Sequence, residues 1–589
     1  MKKKILAVSS LLMAAITVGS LAACGGSGSE QKINASKTQL YVFNFNGGYG
    51  SAWLDEVSKD FEELYKDEVF EEGKKGVEIV VKNQKTRPGE GDNLGAMKQE
   101  IFFTESSDYY GMYNANQMLD ITDMVKDTLD EFGETRSIYD KMEPEQQAYY
   151  SIDEKIYAVP HYLSAYGIAY NADVFNEGYW ILKEGYNAAT IETEYESGKT
   201  VDDTNSISFG KPNADRTNLS AGVDGEYGTY DDGLPATYAE FYLLCNKLAG
   251  GGINALHWGG AHYANYGKML MTSLAAANEG KEQMSLNYSY DSSIQAKNII
   301  TGFDANGDPI IGEPVSIDAN KESVVTLSQQ AGKYYAIEFM YNAYKNTTWF
   351  DQTNGKLFSS QHSHTDAQRD FLRAGMSSTP KKIAMLFDGT WWESEASSVF
   401  TEMAEFYGSK YEKLSRNFGN MPLPHAKASQ IGVVKTTLYD MYAATGFIKS
   451  NIAEWKIPLA KLFLKYTRSD EAMRTYTRVS NTLIALNYEL KDEDLQEMSA
   501  YGRSLYQTKV NGDVVYSLSG NPFFLSNKSK FTWDNMYTGI VNTPGIQGNG
   551  ARVATPLTYF PAAISTPAGL PTAAQYLGYM KLYAEQNSF

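Results

Sequence analysis

Four carboxylates fall within nine residues of one polar stretch, and carboxylates at that density could hold a cation. Asp224 and Glu226 precede Asp231 and Asp232. Like charges this close repel one another unless they are neutralised. These residues are therefore weak candidates for a calcium site. The sequence as a whole predicts no resident cofactor or metal.

A second group offers ligands of the kind that zinc prefers. His362 and His364 stand close to Asp366 and Asp370. Imidazole and carboxylate are common zinc ligands, but structured sites also have a hydrophobic shell around them. No such shell is evident in this stretch, so the sequence does not favour zinc here.

Tyrosine is frequent in the sequence, which indicates that many aromatic side chains contact water or polar groups. Aromatic residues make up 13% of the chain, with 43 Tyr against 26 Phe. A phenol has a flat apolar face and a polar hydroxyl, so such residues suit surfaces that are part apolar and part wet. The aromatic content therefore favours a role in binding a polar molecule with apolar faces.

Composition limits the class of protein. The 589 residues are 43% hydrophobic and 21% charged, and the mean hydropathy is -0.40, which together indicate a folded soluble body. The net charge of -19 repels phosphate backbones, which are bound by clustered Lys and Arg. Nucleic acid is therefore not expected as a partner.

The first residues have the organisation of a secretory signal. Lys2–Lys4 precede an apolar segment at 5–21, and Leu21-Ala-Ala-Cys24 is followed by Gly and Ser residues. This segment resembles a bacterial lipoprotein lipobox, which predicts a signal peptide at 1–23, acylation of Cys24 and a flexible tether at 24–37. The only other cysteine, Cys245, then has no partner for an internal disulfide and is expected to be a buried thiol.

Strand and helix patterns alternate along the body that must position these residues. Residues 40–45, 77–81 and 155–159 and a segment at Asp108 are strand-like, and apolar residues at helical spacing between 53 and 65 predict a helix. This alternation predicts a largely parallel α/β sheet, in which ligands bind at the carboxyl ends of the strands.

Several spaced segments together resemble the extracellular solute-binding lipoproteins of carbohydrate ABC importers, the family of maltose-binding protein. The resemblance covers most of the mature chain. The segments, in chain order, are Asp108-Tyr-Tyr with 118–123, Lys155–Pro160 with 169–175, Leu234–Thr237 with Glu240-Phe241, Lys382–Trp392, Gly419–Pro424, and Leu459–Leu464 with Ser469–Glu471.

The resemblance implies an α/β fold of two lobes joined by hinge strands, with a ligand cleft between the lobes. Pro160 would end a strand ladder, and the alternating residues that follow it suit a strand that crosses between lobes. The N-terminal lobe is then expected at 38–160 plus about 418–490. The C-terminal lobe is expected at 161–417 plus 491–589, with insertions.

The resemblance also implies which residues meet the ligand. A pyranose has apolar faces that stack on rings and hydroxyls that need directional polar partners. By its place in the motif, Trp391 is the best stacking candidate. Two adjacent Trp cannot both point the same way, so one of the pair should pack in the core, and which of the two faces the cleft stays open. The expected ligand-binding residues are Asn46, Tyr49, Tyr113, Asn114, Tyr162, Ser164, Tyr166, Trp258, Tyr263, Asp388, Trp391 and Trp392.

The function that the resemblance implies is capture of a carbohydrate, in particular an oligosaccharide, for delivery to the permease subunits of an ABC transporter. A monomer without catalytic residues is expected, held by its lipid anchor at the outer face of the bacterial cell membrane. A cell-surface glycosidase stays open as an alternative, since two suitably spaced carboxylates would suffice. A binding protein for a peptide or another polar solute also stays open.

Overall fold

A computed structural model describes residues 33–86, 94–105, 109–350, 359–531, 540–542, 552–554 and 572–587 of the chain. Side chains are described in these ranges outside 527–531, 540–542 and 552–554. The predicted signal peptide and Cys24 lie outside the described residues, so acylation of Cys24 stays a prediction.

The described ranges contain α-helices and strands that are numbered here in chain order. The helices α1 to α19 are Ala52–Leu64, Tyr109–Asn114, Thr122–Lys126, Pro144–Tyr150, Ala172–Phe175, Ala188–Glu196, Tyr238–Gly250, Tyr263–Ser289, Lys321–Leu327, Ala331–Lys345, His364–Leu372, Trp392–Glu395, Ser397–Tyr407, Ile457–Tyr466, Asp470–Ser480, Asp492–Glu497, Ala500–Asn511, Pro522–Phe531 and Ala573–Asn587. The strands β1 to β21 are Thr38–Phe45, Val77–Gln84, Ile101–Thr104, Ser151–Ile152, Lys155–Ile156, Ala158–Pro160, Tyr166–Asn171, Trp180–Ile181, Phe209–Gly210, Asn254–His257, Gln295–Ala296, Ile300–Phe303, Pro309–Ile311, Val315–Ser316, Ile383–Gly389, Phe418–Met421, Thr437–Asp440, Thr445–Ile448, Asp513–Tyr516, Ile540–Asn542 and Arg552–Ala554.

The first sheet has the strand order β2-β1-β3-β18-β6. β1 runs parallel to β2 and β3, whereas β18 runs antiparallel to both of its neighbours. β3 is buried along its whole length, as expected of a central strand covered on both faces. The predicted strands at 40–45 and 77–81 are confirmed, and the segment at 155–159 forms β5 and β6.

Helix α1 covers one face of this sheet through the predicted apolar positions. Its buried residues include Trp53 and Phe61. The Trp53 ring lies 5.3 Å from Phe103 of β3, and the Phe61 ring lies 5.0 Å from Phe463 of α14. The helix is therefore held by rings on its buried face, as its sequence period predicts.

The second sheet has the strand order β10-β15-β7-β16. β10 runs parallel to β15, and β7 runs antiparallel to both β15 and β16. Each of these two sheets is thus parallel apart from one strand, which is β18 in the first sheet and β7 in the second. The prediction of an α/β fold with a largely parallel sheet is confirmed, and the structure contains two such sheets.

From strand to strand within the described ranges, the chain passes between the two sheets at two places. β6 ends at Pro160 in the first sheet and β7 begins at Tyr166 in the second, so residues 161–165 form the first passage. Residues 422–444 form the second passage, from the end of β16 to the start of β18. The second segment of the N-terminal lobe was expected to begin near residue 418. This boundary is corrected, because β16 begins at Phe418 and pairs with β7 in the second sheet. The other lobe boundaries stay predictions.

A buried hydrogen-bond group joins the two passages. The backbone N–H and the hydroxyl of Ser164 both donate to Oδ1 of Asp440, at 2.9 and 2.8 Å. The Ser164 hydroxyl in turn accepts from the N–H of Tyr442 at 3.0 Å. Ser164 is fully buried, so the prediction that it contacts ligand is corrected: its hydroxyl is engaged between the passages.

The strand predicted at Asp108 is also corrected. The buried strand of this region is β3, and Tyr109 begins helix α2. Asp108 itself lies outside the described residues. The apolar run of β3 is the segment that can be covered on both faces, which explains why the strand lies there.

Removal of the Ser164 hydroxyl should destabilise the fold. Ser164→Ala leaves the Tyr442 N–H without its acceptor and takes one donor from Asp440, so we expect a loss of about 1 to 3 kcal/mol in the free energy of unfolding. Denaturant titration measures this loss. Ser398→Ala at an exposed helical position is the control and should stay within about 0.5 kcal/mol. Equal losses in the two variants would contradict the assignment.

Candidate functional site

The strand ends of the two sheets meet at one edge, where both passages also lie. β1, β3 and β6 end there in the first sheet, and β10 and β15 end there in the second. The antiparallel strands β7 and β18 begin at the same edge. The loops at this edge bring together a set of rings, called here the aromatic cluster: Tyr49, Tyr162, Tyr166, Tyr266, Trp391 and Tyr442.

Trp391 lies at the centre of the aromatic cluster. It follows β15, and its ring centroid is 5.3 Å from that of Tyr49, in the loop after β1. It is also 5.0 Å from Tyr166 at the start of β7 and 6.0 Å from Tyr442 before β18. One indole therefore contacts rings carried by both sheets.

Glycine lets this indole approach the backbone on two sides. A Cβ on Gly48 would lie 1.8 Å from Cδ1 of Trp391, and a Cβ on Gly389 would lie 2.4 Å from its Cζ2. Neither distance is compatible with a real side chain. The small residues around the indole are therefore required by its position.

The tyrosines of the aromatic cluster stack on one another and form hydrogen bonds with one another and with the backbone of the first passage. Tyr49 stacks on Tyr162 with 3.7 Å between centroids, and its hydroxyl donates to the Leu163 carbonyl. The hydroxyls of Tyr166 and Tyr442 are 2.8 Å apart. Burial raises the pKa of Tyr49, Tyr162 and Tyr166 well above its usual value, so these phenols are neutral and can donate hydrogen bonds.

A chain of polar side chains lies beside the rings. The Gln368 amide donates to Oδ2 of Asp388 and to Oε2 of Glu395, each at 2.9 Å. Glu395 is also 3.4 Å from Nε2 of His364, which begins α11. Tyr266 connects this polar chain to the aromatic cluster, since its ring centroid is 5.4 Å from that of Tyr166 and 6.0 Å from that of His364.

The two carboxylates of the polar chain differ in charge. Burial, followed by the nearby charge of Glu395, raises the pKa of Asp388 to about 7. The pKa of Glu395 is lowered: burial opposes the shift, but the hydrogen bond and charge of His364 outweigh it. The same hydrogen bond raises the pKa of His364. Near neutral pH the site thus combines one ionised carboxylate with one that is part protonated.

This combination of flat rings with carboxylate, amide and hydroxyl groups suits a molecule with many hydroxyls. The rings offer apolar faces, and the polar chain offers directional acceptors and donors. Such a site binds by stacking and hydrogen bonding. The described geometry brings together the predicted residues Tyr49, Tyr162, Tyr166, Asp388 and Trp391.

Trp392 and Trp258 pack in the core and do not join the aromatic cluster, so their ligand contacts stay predictions. Trp392 is 1% exposed, and its ring centroid lies 5.6 Å from that of Phe371. Trp258 packs 4.6 Å from Phe350. The adjacent pair divides as expected of successive positions on a chain, with Trp391 in the cluster and Trp392 in the core.

The remaining predicted contacts are spread over the edge and the first lobe. Asn46 is half-buried in the loop after β1, and Tyr263 is half-buried at the start of α8. Tyr113 lies on α2 with its ring 5.0 Å from Tyr157, and Asn114 on the same helix is exposed. These four residues stay predictions as ligand contacts.

Three of the four clustered carboxylates of the polar stretch accept hydrogen bonds from backbone donors of their own loop. Oδ2 of Asp231 accepts from the N–H groups of Val223 and Asp224 at 2.7 and 3.2 Å. Asp232 accepts from the Gly228 N–H at 2.7 Å, and Asp224 accepts from the Glu226 N–H at 2.8 Å. The pKa of Asp231 is raised to about 7, chiefly by burial. Backbone donors and protonation of Asp231 therefore relieve part of the repulsion, and calcium at this loop stays a weak candidate. Asp224 and Glu226 line a cavity of about 670 Å³ beside this loop.

Sequence reasoning missed four residues of the site: Tyr266, Gln368, Glu395 and Tyr442. Tyr266 stands one helical turn after the predicted Tyr263 and points to the cluster. Glu395 stands four residues after Trp391 in the segment that drew attention to the tryptophans. Tyr442 and Gln368 carried no local signal, because only the fold brings them to this edge.

Comparison with known proteins gives likenesses to solved structures. No family model matches the sequence, and no curated protein matches it. A solved chitin oligosaccharide binding protein is 13% identical, with 94% of this chain and 99% of that chain covered and a TM-score of 0.49. RafE in complex with raffinose is 14% identical, with 94% and 100% covered and a TM-score of 0.47. The apo form of RafE from Streptococcus pneumoniae is 14% identical, with 95% and 100% covered and a TM-score of 0.46.

The described residues also bear on membrane contact and on the second cysteine. None of the helices in the described ranges is both long and apolar enough to cross a bilayer. Cys245 is buried, as predicted, and burial raises the pKa of its thiol well above the usual value.

A side chain at Gly48 should disturb the aromatic cluster. In Gly48→Ala the new Cβ collides with the Trp391 indole, so we expect a loss of about 1 to 3 kcal/mol in the free energy of unfolding and a shift in tryptophan fluorescence. Gly250→Ala is the matched control, because a Cβ there meets nothing within 4 Å. Unchanged stability and fluorescence in Gly48→Ala would contradict the close contact.

The raised pKa of Asp388 predicts how its amide variant responds to pH. In the folded chain the carboxyl holds its proton up to about pH 7, against about 4 when unfolded. Because the unfolded chain releases this proton at a lower pH than the folded chain, the free energy of unfolding of wild type falls as the pH rises from about 4 to about 7. Asp388→Asn stays neutral, and Gln368 can rotate its amide to accept from it. The Tm of the variant minus that of wild type should rise between about pH 4 and about pH 7, and a flat or falling difference would refute the assignment.

Proposed function

We propose that this chain is the substrate-binding lipoprotein of an ABC transporter, which captures a carbohydrate of the oligosaccharide class and delivers it to the membrane permease. The observation that carries the proposal is the position of Trp391. Its indole lies between rings from both sheets and beside the polar chain of Asp388. A sugar ring needs this pairing of an apolar face with directional polar groups.

The two-sheet arrangement supports a binding cycle by movement of the lobes. Trp391 is 7% exposed and lies against Gly48, so a sugar ring reaches the indole only when its neighbours move away. Two passages of chain connect the sheets, and rotation about such connections opens and closes a site between them. A ligand that contacts residues of both sheets has all of its contacts only in the closed state and favours that state.

The N-terminal sequence supports the proposal that this cycle occurs at the outer surface of the cell membrane. Leu21-Ala-Ala-Cys24 resembles a lipobox, so Cys24 is proposed to carry the lipid anchor at the extracytoplasmic face of the bacterial membrane. Stable anchoring takes two or more acyl chains. The anchored monomer would present closed, loaded lobes to permease subunits, while other subunits hydrolyse ATP. In this proposal the chain itself catalyses no reaction.

Truncation of the central indole should remove most of the affinity for sugar. Trp391→Ala takes away the stacking face, and we expect a loss of about 2 to 4 kcal/mol, or roughly 30- to 1000-fold in Kd. Isothermal titration measures the loss, with an oligosaccharide identified by a thermal-shift panel that also includes peptides. Trp455→Ala is the control, because Trp455 is an exposed tryptophan. Its Kd should stay within about threefold of wild type.

The panel also separates the alternatives. Peptides that bind where sugars do not would support import of another polar solute. Shortened sugar products, detected by chromatography after incubation, would support a cell-surface glycosidase instead. A Trp391→Ala variant that folds normally and binds sugar as wild type does would show that the site lies elsewhere.

A further inference from the structure

Four of the six histidines of the chain lie in one corner of the second lobe, where β10 ends and α11 begins. His257 is the last residue of β10, and His362 lies two residues before α11. The rings of this pair are 5.2 Å apart. His262 and His364 form a second pair, with ring centroids 5.3 Å apart.

The first pair converges on a carboxylate. Nε2 of His362 is 3.1 Å from Oδ2 of Asp370, and Nε2 of His257 is 3.7 Å from the same oxygen. The three donor atoms all lie within 4.8 Å of one another. Both imidazoles are buried, and the Asp370 side chain is 19% exposed.

We propose that His257, His362 and Asp370 form a binding site for one divalent transition-metal ion of the zinc class. Zinc binds imidazole nitrogen and carboxylate oxygen at about 2.0 to 2.2 Å, so two ligands of a tetrahedral ion stand about 3.4 Å apart. The two nitrogen-to-oxygen separations of 3.1 and 3.7 Å bracket that distance. Two nitrogens and one carboxylate oxygen leave a fourth position for water.

Burial keeps solvent away from the nitrogen ligands of the group. His257 is 3% exposed and His362 is 7% exposed. The arginines of α11 on either side of Asp370 pair with other acids, Arg369 with Asp366 and Arg373 with Glu402. Asp370 itself contacts both imidazoles. Restricted solvent access of this kind strengthens metal binding.

The metal would tie two distant parts of the chain together. His257 belongs to the second sheet, whereas His362 and Asp370 are more than a hundred residues further along the chain. The backbone of His364 already packs against this strand end, since a Cβ on Gly259 would lie 2.6 Å from its nitrogen. Binding to the folded chain only would raise its stability with the logarithm of the metal concentration once that concentration exceeds Kd.

Zinc titration of the mature chain, stripped of metal by a chelator, tests the proposal. We expect one equivalent to bind and to raise Tm. His257→Gln, His362→Gln and Asp370→Asn should each weaken the zinc affinity at least about 10-fold, since even loss of an outer partner of a ligand costs that much. His262→Gln is the matched control, a histidine of the same corner outside the three-residue group, and should bind as wild type does.

Cobalt provides a readout that does not depend on the variants folding. Bound to the wild-type chain, Co²⁺ should give the visible absorption of a site with nitrogen and oxygen ligands, and zinc should remove that absorption. Failure of wild type to bind one equivalent of zinc would overturn the proposal. Equal binding by the four variants, or a loss in His262→Gln as large as in Asp370→Asn, would also overturn it.

Discussion

The site depends on one buried carboxylate that holds the two passages between the sheets side by side. Asp440 accepts both hydrogen bonds that Ser164 donates, and Ser164 accepts from Tyr442. Burial raises the pKa of Asp440 to about 6, and the N–H donors around it offset part of that cost. Tyr162 and Tyr166 stand two residues on either side of Ser164, so this contact fixes three rings of the aromatic cluster.

The aromatic cluster joins the two sheets, which are the parts that move in the proposed binding cycle. Trp391 belongs to the second sheet, yet it contacts Gly48 and Tyr49 of the first. The passages make the connection near the edge, while the sheets extend away from it, so rotation about the passages changes the distance between Trp391 and the loop after β1. The same geometry explains why binding energy can be converted into closure. The proposed metal site lies at the end of β10, next to α11, the helix that carries Gln368.

The sequence predicted the parts of the fold that depend on local pattern. β1, α1 and β2 follow from apolar spacing, and the division of the two adjacent tryptophans between cluster and core follows from their opposite directions. What it could not predict is pairing over long distances. Ser164 and Asp440 are 276 residues apart, and no periodicity signals their bond. The sequence did not favour zinc at His362 and Asp370 for the same reason, because His257 joins the proposed group only where β10 meets α11. Nor does composition reveal the backbone donors that bond to the carboxylates of the acidic loop.

Solution scattering with and without a bound oligosaccharide tests the central claim most directly. If the lobes close around sugar held by Trp391 and the polar chain, the radius of gyration should fall at saturating ligand, and the sugar should be recovered unchanged. The Trp391→Ala variant should show no fall at the same sugar concentration. A wild-type scattering profile that stays unchanged at saturation, or recovery of shortened sugar, would contradict the account.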